Sequence, residues 1–375
     1  PVRVATAGGG EAWTLRRDYR DLLPVLRHRR DPDHPAVKAL LARPRNLRLT
    51  LDARLQVRVA AIVARQAAAS ASGRAAAIVL DPDTGDILAS VSYPWPIAQA
   101  HGAKSAAEEG DPLLDRARYG LYPPGSTFKL VTAAAALLRD PAASRTSFTC
   151  ARLPDGRVGA RVDGYARPVR DDVNDKTPHG TIDMRHGLVV SCNAYFAQLA
   201  ARLGPGPLIA AADRAEIGLA RNNAIGRVRD TLPQIGYGQG DVVASPLRMV
   251  RIAAAIAADG TMRDARIDPG ATPASHEFLP PDAARLLGGF MRDVVLTGTG
   301  RSLRDSAVPI AGKTGTAEVT GAPSHAWFIG FAPYGPAKKR IAVAVVLENA
   351  GYGGTAAAPA AGEIVSAAAA LGLIR

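Results

Sequence analysis

The 375-residue chain reads as an α+β fold: one sheet flanked by helices, with a helical lobe inserted into it. Three observations predict this. β-Rich runs occur early in the organised sequence and again near its end, helical periodicity fills most of the span between them, and an Ala-rich helix candidate closes the chain. Strands from both ends then belong to one sheet, and the cleft between sheet and lobe is the expected place for chemistry.

Residues 1–46 are rich in Arg and Pro, with Pro24, Pro32, Pro35 and Pro44 interrupting any long helix. They read as a linker or the stump of something larger, and organised sequence is expected over 47–375. A short strand is expected at Leu47–Thr50, followed by Asp52 as the N-cap of a helix in which Leu55, Val59, Ile62 and Val63 recur at helical spacing. Ala76–Leu80 and Ile87–Val91 flank the turn residues Asp81-Pro-Asp-Thr-Gly85 and predict a hairpin. Helical patterns follow at Phe128–Leu138, Leu188–Leu203 and Leu247–Ala258, with Arg139–Asp183 expected to be loop-rich and flexible. Ile310–Thr316, Ala326–Phe331 and Ile341–Leu347 complete the strands, and Trp327, Phe328 and Phe331 are expected in the sheet core.

Composition excludes several classes. Hydrophobic residues at 47% and charged residues at 21% are globular values, and 37 Gly with 28 Pro stay below the roughly 25–30% that marks low complexity. A net charge of +12 raises nucleic acid as a partner. Arg supplies nearly all of it, however, which is more simply a coding bias, and the basic run Arg16–Arg30 has no interleaved aromatics, so no nucleic-acid partner is expected. Cys150 and Cys192 are too few for a disulfide framework and leave the redox compartment open. The seven His residues show no metal-ligand spacing, so neither a metal site nor a cofactor is expected. No apolar run approaches the roughly 18 residues of a membrane span. The chain starts at Pro1 without Met, so this is not read as a cytoplasmic address.

Chemistry concentrates in three short motifs. In Tyr122-Pro-Pro-Gly-Ser126-Thr-Phe-Lys129, Ser126 falls near a helix N-terminus, where unpaired N–H groups and the helix dipole favour an alkoxide or oxyanion. Lys129 follows one turn later on the same face, and a desolvated neutral amine there would activate the hydroxyl. Ser191-Cys192-Asn193 opens a helical run, its two polar side chains facing one cavity and Cys192 turned into the core. Lys313-Thr314-Gly315-Thr316 continues an apolar strand, with Lys313 and Gly315 on one face and Thr314 and Thr316 on the other. Taken singly, each has a plain alternative: a capping Ser with a solvated Lys, a capping Ser before a turn, and an edge strand with solvated Lys and Thr.

Together, and in this order, Ser-x-x-Lys, Ser-x-Asn and Lys-Thr-Gly resemble the motif set of penicillin-binding proteins and related β-lactamases. Thr50–Gln56, Ile235-Gly-Tyr-Gly-Gln-Gly240, Ser245-Pro-Leu247 and His325–Gly330 extend the likeness over about residues 47–375 to the transpeptidase module of the class B members. The resemblance implies a five-stranded, mainly antiparallel sheet flanked by helices. It implies a serine D,D-transpeptidase that cross-links peptidoglycan stem peptides ending in D-Ala-D-Ala and that β-lactams acylate.

Carried to matching positions, the family assigns Ser126 as nucleophile, Lys129 as its base and Ser191 as proton relay to the leaving amine. Asn193 binds the substrate amide and orients Lys129, while Lys313 completes the electrostatic setting. Thr314, Gly315 and Thr316 form the substrate-binding strand, and the backbone N–H groups of Ser126 and Thr316 form the oxyanion hole. Class B members usually carry a membrane anchor and a pedestal. Residues 1–46 are therefore expected to be a remnant of such a pedestal, or a linker from an anchor or a membrane glycan polymerase that is either fused or partnered. The expected location is the extracytoplasmic face of the bacterial membrane, and no glycosyltransferase segment supports a bifunctional class A reading.

Three rivals share the motifs. A class A β-lactamase needs a deacylating Glu between the second and third motifs, and Glu216 and Glu277 do not sit in such a sequence. A D,D-carboxypeptidase uses the same residues with water as acceptor. A β-lactam sensor acylates but barely turns over.

Overall fold

The computed structural model describes residues 2–5, 11–14, 20–44, 46–95 and 111–375. They fall into two units, Pro1–Leu49 and Thr50–Arg375. In the first, β1 (Val2–Ala5) pairs antiparallel with β2 (Glu11–Thr14). Two short helices follow, α1 (Leu23–Arg27) and α2 (Pro35–Ala42), each with Pro in its first turn, where a missing N–H costs nothing. Residues 16–19 of the basic run lie outside the described residues.

In the second unit Asp52 accepts the N–H groups of Arg54 and Leu55 and starts α3 (Ala53–Ala68), which buries Leu55, Val59, Ile62 and Val63. The hairpin β3 (Ala75–Leu80) and β4 (Ile87–Tyr93) follows. The inserted lobe runs through α4 (Lys129–Arg139), the short strands β5 (Phe148–Arg152), β6 (Val158–Ala160), β7 (Val169–Arg170) and β8 (Gly180–Ile182), then α5 (Met184–Val189), α6 (Asn193–Leu203), α7 (Pro205–Arg214), α8 (Ile225–Asp230) and α9 (Leu232–Gly236). The chain returns through α10 (Pro246–Ala257), β9 (Thr261–Arg263), β10 (Ser275–Glu277) and α11 (Pro281–Thr297) to β11 (Ala311–Val319), β12 (Ala322–Ala332), β13 (Ile341–Leu347) and α12 (Ala357–Ala370).

The main sheet has the order β11-β12-β13-β3-β4, every neighbouring pair antiparallel. Every residue of the central strands β3 and β13 is buried, because helices cover both faces, and this is why their sequences are unbroken apolar runs without alternation. On one face Ala75, Ala77, Val79, Phe328, Val343 and Val345 share a core with α3 and α12. On the other, Ala76, Ile78, Trp327 and Ile329 pack with α4, α6 and α10. Strand β11 lies at the sheet edge, paired on one side only, and so presents its other side to the lobe.

Three local expectations are corrected. Leu47–Thr50 forms no strand; Thr50 instead donates its N–H to Ile267 O at 2.9 Å and its hydroxyl to Ile87 O at 2.8 Å. The helical pattern Leu188–Leu203 is interrupted: α5 ends at Val189, Ser191 takes φ +61°, and α6 restarts at Asn193. Arg139–Asp183 holds a four-stranded sheet, β7-β6-β5-β8, with Cys150, Val158 and Ile182 buried. Its strands are two to five residues long, too short for periodicity to reveal.

Candidate active site

Ser126 lies half-buried in a 3₁₀ turn, Gly125–Phe128, that runs directly into α4. Gly125 has φ +53°, and a Cβ there would sit 2.7 Å from the carbonyl oxygen of Thr316. Only glycine lets the turn approach β11 this closely. The carbonyl of Thr316 therefore points at the Gly125–Phe128 turn and away from β12. In an extended strand the N–H and C=O of one residue lie on the same side, so the Thr316 N–H faces that turn as well. Gly315 is equally constrained, since a Cβ would lie 2.9 Å from Thr127 Cγ2 and 3.0 Å from Pro124 O. The Gly-rich block ending α9 meets the same turn: Gly125 donates its N–H to Gly238 O at 2.9 Å. Thr132 of α4 donates its hydroxyl to Gly236 O at 2.8 Å.

Lys129 and Lys313 are both fully buried. Lys129 Nζ donates to the carbonyl oxygen of Ser191, donates to Asn193 Oδ1 at 2.8 Å and lies 3.2 Å from Ser191 Oγ. Lys313 Nζ lies 2.8 Å from the same Oγ and 2.9 Å from Thr314 O. One serine hydroxyl thus sits between two amines. Burial pulls the Lys129 ammonium down to about 8, against the opposing charge of Asp171. Burial, and then the neighbouring Lys129, push Lys313 well below the ordinary lysine value. Two of the contacts of Lys129 are to oxygens that only accept. A neutral amine satisfies both with its two N–H bonds and keeps a lone pair for a proton. The solvated-lysine alternatives of the first and third motifs are excluded by this burial.

The third motif divides as its register predicts. Lys313 reaches Ser191, whereas the Thr314 hydroxyl meets Thr299 Oγ1 at 2.5 Å and Thr316 Oγ1 accepts from Gly353 N at 3.4 Å. Of the two glutamates between the second and third motifs, Glu216 pairs with Arg251 at 2.7 Å and Glu277 lies exposed on β10.

Two supporting residues had no signal in the sequence. Asp171, just past β7, is buried and accepts the N–H groups of Asn193 and, at 2.9 Å, Ala194. Burial alone raises a carboxyl, but His179, Cys150, the Ala194 N–H and Lys129 together bring this one to about 2. It therefore places a negative charge behind Lys129. Glu348, just past β13, accepts from Tyr122 Oη at 2.7 Å and pairs with Arg116 at 3.2 Å and Arg74 at 2.8 Å. Tyr122 stands edge-on to His325 and Trp327, and Trp327 Nε1 donates to Pro123 O at 3.1 Å, so this network braces the loop that delivers Ser126. His325 is half-buried and accepts the Asn349 N–H at 3.1 Å, a packing role.

A serine at a helix start, paired amines whose proton affinity burial lowers and a backbone donor on a neighbouring strand define a serine acyl-transfer enzyme of the sheet-and-lobe type. Residues 75–366 match the family of the penicillin-binding protein transpeptidase domain. The chain is 30% identical over 368 residues to the peptidoglycan D,D-transpeptidase PbpA of Mycolicibacterium smegmatis, covering 87% of this chain and 73% of that one. It superposes with a TM-score of 0.72 and 27% identity on penicillin-binding protein A of M. tuberculosis in its ceftriaxone acyl-enzyme complex, over 98% and 95% of the two chains. A chain of a peptidoglycan synthase complex that coordinates polymerization and crosslinking matches at TM-score 0.70 and 26% identity, over 85% of this chain and 62% of that one. The chain belongs to the penicillin-binding protein transpeptidase family, as a serine D,D-transpeptidase domain of the class B type. Among the described residues no helix is long and apolar enough to cross a membrane.

Proposed function

We propose that this chain cross-links peptidoglycan stem peptides through an acyl-enzyme on Ser126, with the module spanning residues 47–375 and residues 1–46 linking it to an anchor or polymerase. The observation that carries the reading is the convergence of Lys129 and Lys313 on the Ser191 hydroxyl, with Asn193 holding Lys129, the residue one turn beyond Ser126. Neutral Lys129 takes the Ser126 proton as Oγ attacks the carbonyl of the penultimate D-alanine. The oxyanion forms between the N–H groups of Ser126 and Thr316, donors worth roughly 10²–10³ each in rate. Collapse breaks the C–N bond, and the Lys129 proton passes through the Ser191 hydroxyl to the departing amine of D-alanine. An acceptor amine then attacks the ester, loses its proton to Lys129, and releases Ser126 with a new amide formed.

The roles of the substrate strand follow from its edge position. A stem peptide laid along the free side of β11 gains main-chain hydrogen bonds there, and Thr314 and Thr316 bind its carboxylate. Asn193 meets its amide. β-Lactams acylate the same oxygen, as the acyl-enzyme complexes of penicillin-binding protein A show for that relative. The match to a peptidoglycan synthase complex supports a membrane glycan polymerase as partner, and with it placement on the extracytoplasmic face.

The test is labelling with a fluorescent penicillin, intact mass before and after, and turnover of a stem-peptide thioester with a D-amino acid acceptor. One adduct per chain and a cross-linked product are expected. A folded sample that takes no adduct, or an adduct that survives in Ser126→Ala, defeats the reading. Hydrolysis without transfer to the acceptor reassigns it to a carboxypeptidase.

A further inference from the structure

One side chain joins the two walls of the cleft across its mouth. Tyr352, on the loop between β13 and α12, donates its hydroxyl to Asp172 Oδ1 at 3.1 Å and accepts from Asn174 Nδ2 at 2.7 Å. Burial, and then the Asp172 charge, raise the Tyr352 phenol, so the hydroxyl keeps the proton it donates. Both anchors of this clasp are firm. On the sheet side Gly353 donates its N–H to Thr316 Oγ1 at 3.4 Å, and a Cβ on Gly353 would stand 2.3 Å from the carbonyl oxygens of Gly315 and Trp327. On the lobe side Asp172 follows the buried Asp171, and its Oδ1 also accepts the Asn174 N–H at 2.8 Å.

These contacts continue into a closed ring around the reacting atoms. From Tyr352 the ring runs through Asp172 to Asp171, whose carboxylate accepts the Asn193 N–H, and from Asn193 Oδ1 to Lys129 Nζ at 2.8 Å. The backbone leads from Lys129 back past Ser126 to Gly125, which packs against the Thr316 carbonyl, and Thr316 Oγ1 returns to Gly353 and Tyr352. The ring crosses β11 at Thr316 alone, with Lys313–Gly315 on one side and Ala317–Val319 on the other. A peptide laid along the free side of β11 therefore passes through it. Within the ring, only the link between Tyr352 and Asn174 joins two exposed side chains. Two such hydrogen bonds favour the closed state by a factor on the order of ten, so this is where the ring opens.

We propose that the contact of Tyr352 with Asp172 and Asn174 is a release gate that sets cross-linking apart from the reactions of small substrates, an inference that rests on the cross-linking reading. A stem peptide enters the ring end-on with its free carboxyl terminus, and D-alanine departs from the opposite side. Neither step needs the clasp opened, and a β-lactam, small at every edge, needs it no more. The cross-linked product is different. Its donor arm and its acceptor arm lie on opposite sides of the ring, and each continues into a glycan strand. The product cannot be withdrawn in either direction, so Tyr352 must part from Asp172 and Asn174 before the enzyme is free for another turnover.

The experiment locks the clasp in the full chain. Tyr352→Cys and Asn174→Cys are combined and bridged by a bis-maleimide with a reducible linker. Both positions are exposed and the native Cys150 and Cys192 are buried, so the reagent is directed to the mouth and the core is left intact. The probes are a stem-peptide thioester and D-lysine as acceptor, each with or without a large polyethylene glycol, carried on the amino end of the thioester and on the side chain of the acceptor. With polymer on neither partner or on one, the locked chain is expected to turn over within about threefold of the unlocked chain. With polymer on both, it should form about one product per chain and stop, the product co-eluting with the protein until reduction of the linker restores repeated turnover. Each single-cysteine variant treated with the same reagent should turn over every pair. Repeated turnover of the doubly capped pair by the locked chain overturns the gate. So does a lock that also stops the uncapped pair, because end-on entry would then be wrong. Penicillin labelling before locking reads acyl transfer by itself, so a chain that never acylates counts against the cross-linking reading and is told apart from failure of the gate.

Discussion

Lys129 and Lys313, from the first helix of the lobe and the edge strand of the sheet, meet at a single hydroxyl: their amines lie 3.2 and 2.8 Å from Ser191 Oγ. Two buried ammonium groups at this separation repel, and the apolar surroundings do not screen them. At least one amine is therefore neutral in the working enzyme.

The first prediction concerns pH. Lys129 acts as a base only when deprotonated, and its folded-state value is lowered to about 8. The second-order rate of acylation by a β-lactam should rise from pH 6 to 9 with an inflection near 8, reporting the free enzyme. Lys129→Arg should remove the inflection and lower the rate roughly 10²–10⁴-fold, because a guanidinium does not give up its proton. A flat profile in the wild type would contradict this assignment.

Gly125→Ala tests the oxyanion geometry. Its Cβ would stand 2.7 Å from the Thr316 carbonyl at a backbone angle that L side chains rarely adopt, so the turn must move away from β11. Acylation should fall roughly 10²–10³-fold, the worth of one donor, while the thermal midpoint shifts only modestly. Unchanged acylation would show that Ser126 and Thr316 do not act as a pair.

Ser191→Ala removes the hydroxyl between the lysines. Loss of the relay should slow turnover of the stem-peptide thioester with its acceptor roughly 10²-fold or more. Stopped-flow and product analysis would measure it. A variant with full turnover would assign the relay elsewhere.

Glu348 tests the brace beneath the nucleophile loop. Glu348 is 8% exposed and its carboxylate is shared by Tyr122, Arg116 and Arg74, so Glu348→Ala removes a buried acceptor from all three. A loss of about 3–5 kcal/mol is expected, read by denaturant unfolding. A loss below about 1 kcal/mol would mean that the network is dispensable.

Much of the site was legible before any coordinates. Ser126, Lys129, Ser191, Asn193 and Lys313 stand in short motifs, and the hairpin, the late strands and α10 follow from apolar runs and periodicity. Register along β11 also predicted which side chains share a face. Asp171, Glu348 and the cluster of Cys150 with His179 left no trace in the linear pattern. Apart from the Asp171–His179 pair, their partners are 21 to 274 positions away in the sequence, and the short strands that carry Cys150 and lead to Asp171 fall below the length at which periodicity speaks.

The sequence by itself determined which groups are available for chemistry and the order in which strands and helices form, because these depend on local spacing and propensity. Only the tertiary structure decided their charge. Lys129 and Lys313 are ordinary solvated amines until α4, α6 and β11 close over them. Desolvation, a property of what surrounds a group and not of its neighbours in the chain, then lowers the proton affinity of both amines.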